Sequence, residues 1–541
     1  MNRTRTDHRL QSIIAFADNI IQQGRDHFGP EPTPLFADGL ERKTGRPAEW
    51  HYKGQSWIIS NFANQQNLLR MLVGLTAVSG KPDYRNAATA ATRHMFDQHT
   101  HSCGLLYWGG HQLIDLRTGK NHGLEVSCHE FKNTRPFYAW LWEVDPERTH
   151  RFIDAHWNAH ILDWTTLDMN RHGEYGLQPG RIWAHDSSKP ITPFFDGDGL
   201  TFINAGADLI YSALMLHRLG GGHPQALAWG KKMARLYADA RHPVTGLGAY
   251  QYSRPRREVM PPADGPLPTS QRYGDRAENQ WGPKLGDAAR EGWALDGNRA
   301  RIIHACVALA LLDLVENLGD EAADLLQQTV DGMNAYFHHA YNPENNHFKA
   351  MWADGTDMTG WTIDRDGYYG SIGKVWPGAK ADGDFLLAYS RAYRLSGDPQ
   401  LWLAVRSIAK GLALGDPGEK PGQAGAVNPV TPEADYRTLL AIIEWCRLCP
   451  DEKDYLALAE QVADNLLSVH FCDGWFVRSK NHRYIHFDTA EPLALLALEA
   501  MRQGKPEAVP AYIGSRGYIH GIYDGLGRTD DIRALWSVET G

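Results

Sequence analysis

Histidine, glutamate and arginine residues that could form a metal site gather in two short segments. Segment 108–135 contains three histidines and two glutamates, His111, His122, His129, Glu125 and Glu130. The stretch MNRHGEYG adds Arg171, His172 and Glu174. No HExxH motif occurs, but imidazoles and carboxylates from different elements can together bind Mn, Co, Ni or Zn. The spacing leaves two interpretations open: a mixed imidazole–carboxylate metal site, or polar loop histidines bonded to backbone and water.

A second group of residues combines arginines with aromatic rings. SRPRREV and SQRYGDRAENQW contain Arg254, Arg256, Arg257, Arg272 and Arg276, with Tyr250, Tyr252, Tyr273 and Trp281 among or beside them. The planar fork of arginine matches a carboxylate, and aromatic rings stack on sugar faces. The combination favours a polyanionic sugar. Single-stranded nucleic acid and a solvated loop with internal salt bridges are the alternatives.

The charge balance limits the classes of partner. Lys and Arg number 55 against 64 Asp and Glu, a net charge of −9. An acidic chain is not typical of a general nucleic-acid binder, although a basic cleft can lie within it. No apolar run of about 18 residues is present, so we expect no membrane span. Nothing in the sequence implies a protein partner.

Amphipathic helices in pairs are the elements that must position these residues. Leu, Ala and Ile recur at i, i+3, i+4 and i+7 in stretches such as LLRMLVGLTAVSGKPDYRNAATAATRHMF. SGKP and SGDP are good turns between helices, because Gly ends one helix and Pro starts the next. The irregular spacing of the pairs favours a closed ring over a regular solenoid. We therefore predict an all-α fold, a single α/α toroid formed by residues 1–541.

Two long segments interrupt the helical pattern. Residues 173–200 and 250–297 are rich in Pro, Gly, Asp and aromatic residues and show no periodicity. Long loops of this kind are usually functional or disordered, and their Trp and Tyr content argues against disorder. We expect both to be loops between helices that contribute to a binding site, alongside short β pieces.

The N-terminus and the cysteines bear on the compartment. Early arginines are followed by neither an apolar core nor a small-residue cleavage site, so we expect an amphipathic helix and a cytoplasmic protein. Six scattered cysteines form no visible disulfide framework, which agrees with a reducing compartment. Cys446 and Cys449 form a CxxC without a second pair, so core thiols are a better interpretation than zinc ligands.

The motifs WGGHQ, SCHEF, MNRHGEYG and SQRYGD, in this order and separation, resemble the family 2 polysaccharide lyases, which are pectate lyases with an α/α-barrel fold. The resemblance covers most of the chain. It implies a barrel of about seven helix pairs and cleavage of α-1,4-galacturonan by β-elimination. Because no export signal is seen, the chain is most similar to the intracellular, exo-acting branch, which acts on oligogalacturonides and releases unsaturated digalacturonate.

The resemblance also implies roles for individual residues. His111, Glu130 and His172 would bind a divalent transition metal, Mn²⁺ before Co²⁺ or Ni²⁺, with His122 and His129 as competitors of His111. Arg171 would be the Brønsted base and Arg272 a second catalytic arginine. Tyr175, Arg181, Tyr273, Arg276 and Trp281 are our candidates for substrate binding.

An arginine base needs a special environment. In β-elimination the base removes the proton next to the uronate carboxylate, which then becomes dianionic, so a cation at that carboxylate lowers the barrier. A guanidinium is normally protonated, and a neighbouring metal cation together with desolvation would favour its neutral form. The alternative is that Arg171 binds a carboxylate and another group is the base.

Other functions on the same fold are also compatible with the sequence. Unsaturated uronyl hydrolases and other α/α-barrel glycosidases need paired carboxylates, which Glu174, Asp196 and Asp198 could supply. Sugar epimerases use histidines, and a non-catalytic uronate-binding protein would need only the arginines and rings. Sensitivity to a chelator and an unsaturated product separate the lyase from all of these.

Overall fold

The computed structural model describes the whole chain except residues 1, 124–127, 195–199, 253–276, 278–279, 282–283, 285–289, 424, 524–528 and 540–541. The helices are α1 Asn2–Asn19, α2 Gln66–Ser79, α3 Asp83–Gln98, α4 Tyr138–Val144, α5 Pro146–His160, α6 Ile203–Leu219, α7 Pro224–Asp239, α8 Gly297–Arg301, α9 Ala308–Leu318, α10 Ala323–Ala340, α11 Gly383–Ser396, α12 Pro399–Gly411, α13 Tyr436–Leu448, α14 Lys453–His470 and α15 Glu491–Arg502. A π-helical turn, Ile302–Val307, joins α8 to α9.

Alternate helices form an inner ring. In sequence order α2, α4, α6, α9, α11, α13 and α15 are inner helices, and each of the first six packs against the outer helix that follows it. Helix α15 packs against α2 and so closes the ring, and it takes α1 as its outer partner. The described helices thus form seven pairs. This confirms the predicted all-α toroid of about seven pairs; that the chain is one domain stays a prediction.

Helix ends follow the turn residues that the sequence displays. Gly80 and Gly397, with φ of 74° and 70°, end α2 and α11 in the left-handed conformation that glycine favours. Pro residues stand in the first turn of α5, α7, α12 and α15, where the missing N–H costs nothing. The SGKP and SGDP turns are therefore as predicted.

The described part of the chain also contains short strands. They are β1 Gly39–Glu41, β2 Glu49–Tyr52, β3 Gln55–Ser60, β4 Gln112–Asp115, β5 Lys120–Gly123, β6 Cys128–His129, β7 Ile161–Asp163, β8 Asp168–Met169, β9 Gly173–Glu174, β10 Ala294–Leu295, β11 Tyr341–Asn342, β12 His347–Phe348, β13 Met351–Trp352, β14 Ala379–Lys380, β15 Phe471–Cys472, β16 Trp475–Phe476, β17 Tyr484–His486, β18 His520–Tyr523 and β19 Thr529–Asp531. The largest sheet has the order β2-β3-β4-β5. Strand β6 pairs antiparallel with β9, which joins the two segments that carry the candidate site.

Within the described residues, one helical stretch is long and apolar enough to cross a membrane. It is Gly297–Ala340, and 67% of its most apolar window is buried inside the structure. Its middle part, α9, belongs to the inner ring, and core helices of soluble proteins pass the same test. The segment was not expected from the sequence, because no single run of about 18 apolar residues marks it.

Candidate active site

Glu130 lies at the centre of the site and is fully buried. Its backbone is held by a parallel bridge to Gly109 and by the β6–β9 pair, in which His129 faces Gly173. Gly109 has φ of 102°, and a Cβ atom there would lie 2.5 Å from the Glu130 carbonyl oxygen. Only glycine fits this approach, which gives the WGG motif a structural reason.

Two cations reach the same carboxylate oxygen of Glu130. Lys132 Nζ lies 2.9 Å and Arg171 Nη1 2.6 Å from Oε1. Burial opposes the charge on Glu130, but the positive charges of Lys132 and Arg171 outweigh it and hold the pKa of Glu130 well below its usual range. The site therefore contains a buried carboxylate ion within a cluster of cations.

His111 and His172 complete the group around Glu130. His111 Nε2 lies 3.0 Å from Oε2, and His172 Nε2 lies 3.4 Å from Oε1. Burial, followed by the charge of Arg171, lowers the pKa of His172 to about 3, so its imidazole is neutral. The Sγ atom of Cys128 belongs to the same group, because ligand atoms of Cys128, His111 and His172 all lie within 4.8 Å of one another.

The donor set fits a transition metal. Two imidazole nitrogens and a carboxylate converge, and the buried Nε2 atom of His172 makes no hydrogen bond within the described residues. Neutral imidazole with carboxylate is a typical environment for Mn, Co, Ni and Zn, whereas Ca²⁺ prefers oxygen atoms alone.

The two competitors of His111 lie elsewhere. His122 is on β5, and its ring centroid is 6.3 Å from that of Trp57. His129 is buried in a separate cluster with His156 and His160, where its Nδ1 atom lies 2.9 Å from His160 Nε2. Of the three histidines, His111 is therefore the one that the structure places against the Glu130 carboxylate.

Of the predicted sugar-binding residues, the structure describes Tyr175, Arg181 and Trp281. The Tyr175 hydroxyl donates to the Leu106 carbonyl, and its ring stacks on Tyr107 with centroids 5.2 Å apart. Arg181 is exposed next to the short 3-10 turn Ile182–Ala184. Trp281 is 3% exposed and packs against Trp352, Tyr369 and Trp376 in a satellite core. This packing does not support stacking of Trp281 on a sugar.

Several predicted residues lie outside the described part of the chain. They are Arg254, Arg256, Arg257, Arg272, Tyr273 and Arg276 of the arginine-rich segment, Glu125, and the alternative hydrolase carboxylates Asp196 and Asp198. The roles that we predict for them stay predictions.

Two residues of the site were missed by our sequence analysis. Cys128 stands two positions before Glu130 in SCHEF. In extended chain, side chains two positions apart lie on the same side, and this spacing could have indicated that Cys128 belongs to the site. The Tyr518 ring lies 5.0 Å from Lys132 Nζ, and its hydroxyl is 3.4 Å from the Glu130 carbonyl oxygen. The sequence gives no signal for Tyr518, because 388 positions separate it from Glu130.

Known proteins resemble this chain over nearly its full length. Residues 33–522 match a family model described as periplasmic pectate lyase. A pectate disaccharide-lyase of Dickeya dadantii (strain 3937) is 37% identical over 527 residues, which cover 96% of this chain and 93% of the relative.

Similarity to solved structures is weaker. A D-mannose isomerase has a TM-score of 0.44 and 12% identity, covering 82% of this chain and 98% of its own. A cellobiose 2-epimerase from Bacillus thermoamylovorans B4167 has a TM-score of 0.44 and 11% identity, covering 93% and 100%. These values are too low to carry a conclusion about activity.

The family description corrects one expectation. We expected a cytoplasmic protein, but the matching family is described as periplasmic, so that prediction is wrong. The expected membership of the pectate lyase family is confirmed by the same match and by the 37% identical relative. The chain belongs to the family 2 pectate lyases, enzymes that degrade pectate as polysaccharide lyases.

Proposed function

We propose that this pectate lyase is metal-dependent and exo-acting, and that it releases unsaturated digalacturonate from polygalacturonate and oligogalacturonides. The observation that carries the metal dependence is the convergence of His111, His172 and the buried Glu130 carboxylate beside Arg171. The exo mode and the product are supported by the name of the relative, pectate disaccharide-lyase, at 37% identity.

His111, Glu130 and His172 would hold the cation, with Mn²⁺ as our first candidate and Co²⁺ or Ni²⁺ as alternatives. A bound divalent cation would neutralise the substrate carboxylate as that group becomes dianionic. The neutral state of His172 leaves its nitrogen lone pair available for a ligand bond.

Arg171 would remove the proton next to the substrate carboxylate. Its guanidinium now donates to Glu130 Oε1 at 2.6 Å. With a cation held by the same carboxylate, the Arg171 guanidinium would lose part of this contact and its charged form would be disfavoured, so that it could accept a proton.

Lys132 would keep its positive charge and stabilise the dianionic carboxylate of the transition state. Its Nζ atom lies 2.9 Å from Glu130 Oε1 and 5.0 Å from the Tyr518 ring centroid, so it is fixed between an anion and an aromatic face. A preorganised charge of this kind lowers the barrier because it need not reorient during the reaction.

The metal dependence is tested by following the absorbance of the 4,5-unsaturated uronate with polygalacturonate and trigalacturonate, with Mn²⁺ and with EDTA. We expect activity that EDTA abolishes and Mn²⁺ restores. Activity that persists after complete removal of metal would overturn the proposal.

A matched pair of histidine variants tests the ligand set. We expect His111→Ala to lose bound metal and activity together. His122→Ala is the control, because its ring lies beside Trp57 rather than at Glu130, and it should keep both. Metal content is measured by mass spectrometry of the purified proteins, and equal metal content in the two variants would contradict the assignment.

The exo mode is tested by the products. Unsaturated dimer as the first product from polygalacturonate, with a slow fall in viscosity, is the expected result. A rapid fall in viscosity with a ladder of longer unsaturated products would show endo action instead.

A further inference from the structure

We infer that Arg516, with Arg437 beside it, forms a second carboxylate-binding position at the same end of the toroid, for a uronate of the substrate other than the one held at Glu130. The inference rests on the proposed function, because it assigns a further sugar of the same oligogalacturonide. Neither the sequence motifs nor the family match assigns Arg516 or Arg437 to the site.

Three arginines surround one buried carboxylate at this position. Asp384, in the first turn of α11, is 2% exposed, and its Oδ2 atom lies 2.6 Å from Arg516 Nη2, 3.0 Å from Arg437 Nη1 and 3.0 Å from Arg301 Nη1. One negative charge is therefore shared among three positive charges. We refer to these four residues as the Asp384 cluster.

Two of the three arginines have a second carboxylate of their own. Arg301 also contacts both oxygens of Asp382, at 2.6 and 2.7 Å. Arg437 is bidentate to Asp435, at 3.0 and 2.6 Å. These pairs balance the charges of Arg301 and Arg437.

Arg516 differs from the other two arginines. Within the described residues its guanidinium makes one charge contact, to Asp384, and its side chain is 39% exposed. Asp382, Asp384 and Asp435 carry as many negative charges as the three arginines carry positive ones, so Arg516 would bind a carboxylate through N–H donors that Asp384 does not engage rather than through excess charge. A half-buried planar guanidinium with one engaged edge can still bind an incoming carboxylate with its other donors.

The chain connects this position directly to the metal-site residues. The Arg516 amide donates to the Asn133 carbonyl at 2.9 Å, three positions after Glu130. Tyr518, two residues after Arg516, contacts Lys132 and Glu130. At most about 7 Å of chain separates residues two positions apart, so the segment that contacts Lys132 and Glu130 also carries Arg516.

The chemistry favours an acidic sugar. Every residue of a galacturonan carries a carboxylate, so a substrate anchored by one uronate at Glu130 presents a second one nearby. The half-buried ring of Tyr436, 5.4 Å from that of Tyr512, lies under the Arg437 guanidinium at 4.8 Å and adds an aromatic surface beside the cluster. Charge and aromatic surface together are the usual elements of an acidic-sugar site.

Calorimetric binding separates this role from a structural one. All proteins carry Arg171→Lys to suppress turnover, and the ligands are trigalacturonate and its neutral methyl ester. We expect Arg516→Gln to weaken trigalacturonate binding about ten- to hundredfold, the loss typical of a hydrogen bond between charged groups, and to leave methyl ester binding unchanged. Arg516→Lys should lose less, because it keeps the charge.

Folding is not expected to confound the result, since Asp384 keeps Arg301 and Arg437 in the Arg516→Gln variant. Melting temperature and metal content are measured in each protein, and Arg235→Gln, an exposed arginine on outer helix α7, is the control. Unchanged trigalacturonate affinity in Arg516→Gln, or equal losses for acid and ester, overturns the inference alone. Absence of trigalacturonate binding in the Arg171→Lys parent overturns the substrate class, and with it both proposals.

Discussion

At the scale of single residues, the charge balance around Glu130 decides what the site can do. The carboxylate is completely buried and carries two cationic side chains on one oxygen. Removal of one partner from a buried ion pair is far more costly than loss of a surface pair, because the remaining charge is left without compensation. Variants at this position therefore need a check of folding beside any measurement of activity.

Arg171→Lys tests the base directly. Lysine keeps the positive charge and can still reach Glu130, but it lacks the planar fork and the proton affinity of a guanidine. We expect turnover with saturating metal to fall at least a hundredfold, while metal content and melting temperature stay within error of the parent. Steady-state rates across alkaline pH provide the measurement.

Lys132→Arg is the comparison for that experiment. It replaces lysine by arginine, the reverse of Arg171→Lys, at the other cation that contacts the same carboxylate oxygen. A fall of less than fivefold in Arg171→Lys would mean that Arg171 only binds a carboxylate and that another group takes the proton.

At the scale of elements, the β6–β9 pair depends on a layer of histidines behind it. His160 Nδ1 donates to the Asn170 carbonyl at 2.7 Å, and the His160 carbonyl accepts from the Asn170 amide at 2.9 Å. Asn170 Oδ1 then accepts from the His172 amide at 3.0 Å. A Cβ atom on Gly173 would lie 2.6 Å from His160 Nε2, so glycine is required there. His160 is therefore a positioning residue for the segment with Arg171 and His172.

We expect His160→Leu to weaken metal binding ten- to hundredfold, the usual cost of losing an outer hydrogen bond to a metal site. His160→Gln retains a donor and should recover part of the affinity. His156→Leu is the control, since His156 is equally buried in the same cluster. It should lower the melting temperature without changing metal affinity. Metal titration followed by calorimetry measures all three, and equal affinities in the two leucine variants would remove the positioning role.

The π-helical turn between α8 and α9 predicts a pH effect on stability. His304 in this turn is buried and stacks on Tyr336 with centroids 4.3 Å apart. Burial, followed by the charge of Arg241, lowers the pKa of His304 to about 3 from the usual 6.5. The folded state binds the proton less well than the unfolded state, so stability is fully present above pH 6.5 and is lost as the pH falls towards 3.

Replacement of His304 by Phe removes this contribution. Between pH 6.5 and pH 5, we expect the free energy of unfolding of the parent to fall by about 2 kcal/mol more than that of His304→Phe. Urea unfolding at the two pH values measures it, with His347→Phe, an exposed histidine, as the control. A constant difference at both pH values would contradict the assigned pKa.

At the scale of the whole molecule, α1 packs on the last helices of the chain, where α15 meets α2 and closes the ring. Arg9 on α1 is 1% exposed; it lies 2.7 Å from Asp464 of α14 and 3.3 Å from Glu499 of α15. Because Glu499 is buried too, loss of Arg9 leaves an uncompensated carboxylate in the core.

We therefore expect Arg9→Met to lower the free energy of unfolding by about 3 kcal/mol. The double variant with Glu499→Gln should recover part of the loss. Arg148→Met, which removes an exposed pair with Asp97, should cost less than about 1 kcal/mol. Denaturant unfolding measures the three variants, and equal losses in the two single variants would show that ring closure does not depend on Arg9.

The sequence predicts much of this architecture but not its pairing. The i, i+3, i+4 pattern and the Gly80 and Gly397 turns identify helices, since both depend on neighbouring residues only. The pairing of α1 with α15 has no local signature.

At the site, Glu130 and His172 stand in recognisable motifs, whereas the choice of His111 over His122 needs the register of the β4–β5 hairpin, in which Leu113 faces His122. Arg516 could not be found, because only the tertiary fold brings it to Asp384.

The closed ring also has a consequence for biosynthesis. Arg9 of α1 and Glu499 of α15 are separated by 490 positions, so α1 is translated long before its inner partner α15. A nascent chain can assemble its neighbouring helix pairs as they emerge, but α1 has no inner partner until α15 has been translated. During this interval its apolar face, with Ile13, Phe16 and Ala17, has no permanent cover. We expect newly made chains to need protection from aggregation at this helix above all others.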